Sequence, residues 1–131
     1  MRPPGADERG MSDSVQWAML TPLVLLTVLG MIQAGIWLYG RSVAADAAIT
    51  GAEAAAVLDA DPDQARELAQ QVADKGGLRE VTVERAMGAT TVTVTVTGRI
   101  PTFLDLGPGE IVHSATRPLE RLTRPAYTEG R

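Results

Sequence analysis

The sequence has no cysteine, one histidine (His113), one phenylalanine (Phe103), and an aromatic content of only 4%. Without cysteine there is no disulfide framework, no thiolate zinc site and no thiol nucleophile. His113 has no second imidazole to share a metal with, so a structural or surface role is expected for it. Ser12, Ser14, Ser42 and Ser114 lie in no nucleophile elbow. Gly107, Pro108 and Gly109 form a turn and not a phosphate loop, because the following Lys and Ser/Thr are missing. Nor is there a basic stripe: acids and bases are interspersed and the net charge is -4, which argues against a nucleic-acid partner. No constellation here could run a reaction. The chain therefore reads as a non-enzyme with no cofactor, no metal and no small-molecule substrate.

Charge is also absent, entirely, from Ser14 to Gly40. As a helix this run is long enough to cross a hydrocarbon layer of ~30 Å. Trp17 sits at one end and Trp37 and Tyr39 at the other, where amphipathic rings prefer the two interfaces. The segment is longer than the ~7–15-residue apolar region of a secretory signal, although Val43, Ala44 and Ala45 would offer small residues for cleavage. Pro22 removes one backbone hydrogen bond and is expected to kink the first turns or mark the helix start. Thr21 and Thr27 are expected to satisfy freed carbonyls, and Gln33, polar at depth, to find its partner on another helix. Arg2 and Arg9 before the run, against Arg41 after it, predict a cytoplasmic N-terminus and an extracytoplasmic C-terminal part in the cell membrane.

After Arg41 the helix is expected to continue to about Leu58, since the stretch is alanine-rich and free of proline. Ala44, Ala48, Ala52 and Ala56 recur every four residues, with Ala45, Ile49 and Val57 widening the stripe. Small side chains at this spacing allow close approach of the chain's own sheet or of another subunit. Gly51 weakens the helix by about 1 kcal/mol relative to alanine. The acids Asp59, Asp61 and Asp63 resemble the opening of a calcium loop, but Gln64 and Gln70 stand where that loop needs Gly and Glu. A helix start explains them better: Asp61 as N-cap, Pro62 as first residue, Asp63 complementing the dipole. This second helix runs to about Lys75 on an apolar face of Ala65, Leu68, Ala69, Val72 and Ala73, and ends at Gly76 and Gly77.

Strands follow. Glu80 to Arg85 and Thr91 to Thr97 alternate with period two, joined through Met87, Gly88 and Ala89. Val92, Val94 and Val96 share a face that must cover the helices, leaving threonine on the other. Phe103 to Gly109 reads as a loop with apolar residues, and Glu110 to about Thr116 as a third, shorter strand. Glu80, Glu84 and Glu120 are expected to pair with Arg79, Arg85 or Arg121 at the surface. The predicted class is α+β: a long N-terminal transmembrane helix with an alanine-rich extension, a short helix, and a small three-stranded antiparallel sheet. The segments are 1–10 as leader, 11–58 as transmembrane and extended helix, 59–122 as extracytoplasmic domain and 123–131 as flexible tail.

The order of motifs resembles the TadE-like family of tight-adherence (Tad) pilus systems. Gly10 resembles the end of a short prepilin leader; Val15, Gln16, Trp17 and Ala18, then Pro22, resemble the motifs that follow. Arg41 and the alanine-rich run resemble the post-membrane helix, and Val96 to Arg99 and Arg117 to Arg121 are similar to actinobacterial members. One departure is plain: Gln16 stands for the family's acidic residue and lies six residues after Gly10, one later than usual. A neutral amide can hydrogen-bond but cannot form the ion pair assigned to that acid. The resemblance implies a pilin-like fold and a non-catalytic minor pilin or pseudopilin in pilus assembly or secretion. It implies cleavage between Gly10 and Met11 by a prepilin peptidase, membrane lipid as surroundings, and other pilin subunits, self or paralogue, as partners. Gln16, Pro22, Gly30, Gln33 and Ala34, with the stripe Ala44, Ala48, Ala52 and Ala56, are the expected assembly residues. The alternative is a single-pass anchor for an extracytoplasmic binding or structural domain unrelated to pili.

Overall fold

The computed structural model describes residues 6–57, 59–103 and 109–121, with 6–9 as backbone only. The expectations for residues 1–5 of the leader, Leu58, the loop at 104–108 and the tail from 123 onward lie outside the described residues. The element order is α1 (Ala6–Ala56), α2 (Pro62–Lys75), β1 (Arg79–Met87), β2 (Thr91–Arg99) and β3 (Glu110–Pro118). The fold is α+β as expected, and the three strands form an antiparallel meander in the order β1-β2-β3. The chain divides into two compact units, residues 1–36 and residues 37–131.

The first unit is the N-terminal part of α1. Leu23, Val24, Leu25 and Leu26 are all exposed, as expected of a helix whose apolar surface faces lipid on every side. The helix continues past Pro22, which lies inside it. The threonine expectation needs correcting. Thr21 Oγ1 donates to the Trp17 carbonyl at 2.7 Å and Thr27 Oγ1 to that of Leu23 at 2.8 Å. The carbonyl that Pro22 leaves without its helical donor is that of Ala18, four residues back. The hydroxyls bond one turn back along their own helix to satisfy themselves, as Ser14 does with Gly10 at 2.9 Å.

The second unit is a two-layer sandwich with both helices on one face of the sheet. Val92, Val94 and Val96 are buried, and Ile111 and Ala115 of β3 join them on the same face. Each fully buried valine contributes about 1.5–3 kcal/mol by removal from water. Opposite them, Ala44, Ala47, Ala48 and Ala52 of α1 are fully buried, with Ala65, Ala69 and Ala73 of α2. The core is therefore thin, and helix backbone approaches strand closely. An alanine Cβ at Gly51 would stand 2.9 Å from Ala69 Cβ and 3.1 Å from Val94 Cγ1. At Gly40 it would run into the Ile100 and Ile111 side chains. Gly51 is not a mere weakness in the helix; it is the point where α1, α2 and β2 meet.

Local signals account for the element ends. Asp61 caps α2, its carboxylate accepting from the Asp63 N–H at 3.0 Å, with Pro62 opening the helix. At the other end Gly77 takes φ +86, while Gly77 N–H donates to Asp74 and Leu78 N–H to Ala73. This pair of bonds is a Schellman closure and requires a left-handed residue between them. The β1–β2 turn is tighter than expected: Gly88 N–H donates to the Thr91 carbonyl at 2.7 Å, leaving Ala89 and Thr90 at the tip. On the outer sheet face hydroxyls pair across strands, Thr93 with Thr116 at 2.9 Å and Thr95 with Ser114 at 2.8 Å.

Candidate functional site

The proposed assembly residues fall into two groups that the structure treats differently. Gly10, Met11, Gln16, Pro22, Gly30 and Ala34 are exposed along α1, and Gln33 is half-buried. Gly10 and Gly30 have no neighbouring atom within 4 Å of where a Cβ would stand. Gly30 and Ala34, four apart, share a face of the helix, and that face has room for a second helix backbone. Gly10 lies within α1, not ahead of it. Cleavage after it would require the first turns of the helix to open.

In the second group, Ala44, Ala48, Ala52 and Ala56, expected as a stripe that could meet the chain's own sheet or another subunit, are buried within their own unit. The buried face is also rotated from the predicted one. Ala47, Gly51 and Ala55 complete it, whereas Ala45 and Ile49 are half-buried and Val57 is exposed. Helical geometry gives the reason: a face packed over several turns takes positions i, i+4, i+7, i+8 and i+11. Gly40, Ala44, Ala47, Ala48 and Gly51 follow that series, and the period-four stripe forms one edge of the same face. The two glycines, three turns apart on one face, were the signal available in the sequence.

A second feature escaped the sequence reading. The segment after β3 clasps the domain. Leu119 N–H donates to the Thr90 carbonyl at 2.8 Å and Glu120 N–H to that of Ala56 at 3.0 Å. Arg121 donates to the Ala89 carbonyl at 3.2 Å, and Arg117 pairs with Glu53 of α1 at 3.2 Å. Ala56 closes α1, where carbonyls have no helical donor of their own. The run Arg117 to Arg121 thus caps α1 and fastens the hairpin tip. The expected pairings of Glu80, Glu84 and Glu120 with Arg79, Arg85 or Arg121 do not form. Glu80 pairs instead with Arg99 across the sheet at 3.3 Å, and the Glu120 backbone, not its carboxylate, does the bonding.

His113 is half-buried opposite Val96. Among the described residues no three His, Asp or Glu side chains gather where they could hold a metal ion. An open groove of about 310 Å³ at the C-terminal end of α1 is lined by Val57, Asp59, Arg85, Met87, Leu119 and Glu120, mixing both charges with apolar walls.

These features define a class: a small α+β domain carried on one N-terminal helix long and apolar enough to cross a bilayer. Residues 12–53 match the family model described as TadE-like protein. The match runs from the start of the apolar helix through the alanine-rich length under the sheet, so the resemblance read from the N-terminal motifs is borne out there. The similarities at Val96 to Arg99 and Arg117 to Arg121 lie outside it, as does Gly10. No curated protein and no solved structure matches the chain.

Proposed function

We propose that the chain is a non-catalytic, membrane-anchored minor pilin or pseudopilin that takes part in Tad-type pilus assembly or secretion. The observation that carries this is the match of residues 12–53 to the TadE-like family, falling on a helix whose apolar half is exposed on all sides. A helix in lipid gains nothing from hydrophobicity on meeting another; close packing of small residues and polar contacts must drive association. The open face at Gly30 and Ala34 supplies such packing, and a second copy or a paralogous pilin is the partner it fits. The alanine stripe takes no part, because it stabilises the domain internally.

The test is in-membrane crosslinking between neighbouring subunits. Leucine at both Gly30 and Ala34 is expected to lower crosslinking and pilus assembly while membrane insertion stays intact. Unchanged crosslinking and assembly in the double variant would remove this face from the proposal. Loss of the chain with no effect on any pilus or secreted product would favour the plain anchor reading.

A further inference from the structure

We infer that the membrane-proximal rim of the second unit is a lipid-binding surface, with Phe103 entering the headgroup region beside Trp37 and Tyr39. This rests on reading the apolar part of α1 as a membrane span. The uncharged run ends at Gly40, followed at once by Arg41, whose guanidinium lies 5.6 Å from the centre of the Trp37 ring. A cation held over an indole matches the interfacial position, where the ring is half in hydrocarbon and the charge stays with water and phosphate.

The fold brings the sheet to that same level. Gly40 is buried because Ile100, just after β2, and Ile111, early in β3, lie against it. Ile100 N–H donates to the Gly109 carbonyl at 3.2 Å, pinning both ends of the β2–β3 connection at Gly40. Phe103 follows Ile100 by three residues, a reach of at most about 11 Å. It is the chain's only phenylalanine and is 75% exposed. Leu38 and Tyr39, flanking the contact, are 60% and 61% exposed. Water disfavours apolar side chains left this exposed, and the headgroup boundary, where interfacial helices bury theirs to about 5–10 Å, would cover them. Of the possible occupants, only the bilayer is already tied to this rim by the chain itself. The consequence is functional: the domain is held against the membrane by two points, the helix and Phe103, and must release the second to be lifted out of the bilayer.

Tryptophan fluorescence in vesicles of phosphatidylcholine and phosphatidylglycerol, using the full chain, tests this. One variant carries Trp17→Phe, leaving Trp37 as sole reporter. The other carries Trp17→Phe, Trp37→Phe and Phe103→Trp, leaving residue 103. Both are expected to show blue-shifted emission, lose most of their intensity to lipids brominated near the headgroup, and resist acrylamide. Quenching at 37 without lipid quenching at 103 overturns the inference and leaves the span standing, whether position 103 is open to acrylamide or shielded by protein. Lipid quenching at neither position overturns the span reading, and the inference with it.

Discussion

Gly51 shows how one residue decides the spacing of a whole layer. Replacing it with alanine raises helix propensity by about 1 kcal/mol, so an isolated helix would gain. In the folded domain the new methyl would meet Ala69 Cβ, which is fixed to its own backbone and cannot swing aside. Overpacking of this kind costs about 1–3 kcal/mol. We therefore expect Gly51→Ala to lower the stability of the second unit by a net amount of about 1 kcal/mol, read as a lower denaturation midpoint of the full chain in detergent. A higher midpoint would mean that α1 and α2 can spread apart without loss. Val94, 2% exposed on the facing strand, makes the complementary test. Val94→Lys would bury a charge with no partner and should destabilise by more than about 1 kcal/mol. An unchanged midpoint would mean that the valine face looks outward.

At the scale of elements, the clasp after β3 couples parts far apart in sequence. Glu120 N–H satisfies the Ala56 carbonyl, while Leu119 and Arg121 hold the β1–β2 tip. Glu120→Pro removes that donor and should cost about 1 kcal/mol. Amide exchange in the last turn of α1 is expected to accelerate in this variant and to stay normal in Glu120→Ala, which keeps the N–H. Equal protection in both would show that the turn is held without the clasp. The exposed Arg117–Glu53 pair adds little by comparison, about 0–1 kcal/mol.

For the whole molecule, orientation and processing both have direct readouts. Arg2 and Arg9 before the uncharged run favour a cytoplasmic N-terminus. Protease added outside spheroplasts is therefore expected to digest the part after Arg41 and spare the leader; the reverse pattern would invert the topology. N-terminal sequencing of the membrane-extracted protein is expected to begin at Met11, and Gly10→Ala to block that cut. A start at Met11 that survives Gly10→Ala would assign it to internal initiation.

Most of the local structure was legible in the sequence because its causes are local. Asp61, Pro62 and Gly77 set the ends of α2 through dihedral angles and first-turn hydrogen bonds. The valine–threonine alternation determined the strands and their buried face through the period of the pleat. The uncharged run from Ser14 to Gly40, with no alternative burial on offer, determined that α1 carries a stretch fit for lipid. The motif order at Val15 to Pro22 pointed to the family that residues 12–53 match. What only the tertiary structure decided depends on contacts between distant segments. An alanine stripe looks the same whether sheet or subunit covers it, and only the packing of Val94, Ala69 and Gly51 at one point showed that the sheet does. The same limit hid the clasp formed by Arg117 to Arg121. A backbone N–H donating to a carbonyl more than sixty residues earlier leaves no mark in side-chain pattern, because every residue but proline carries that donor.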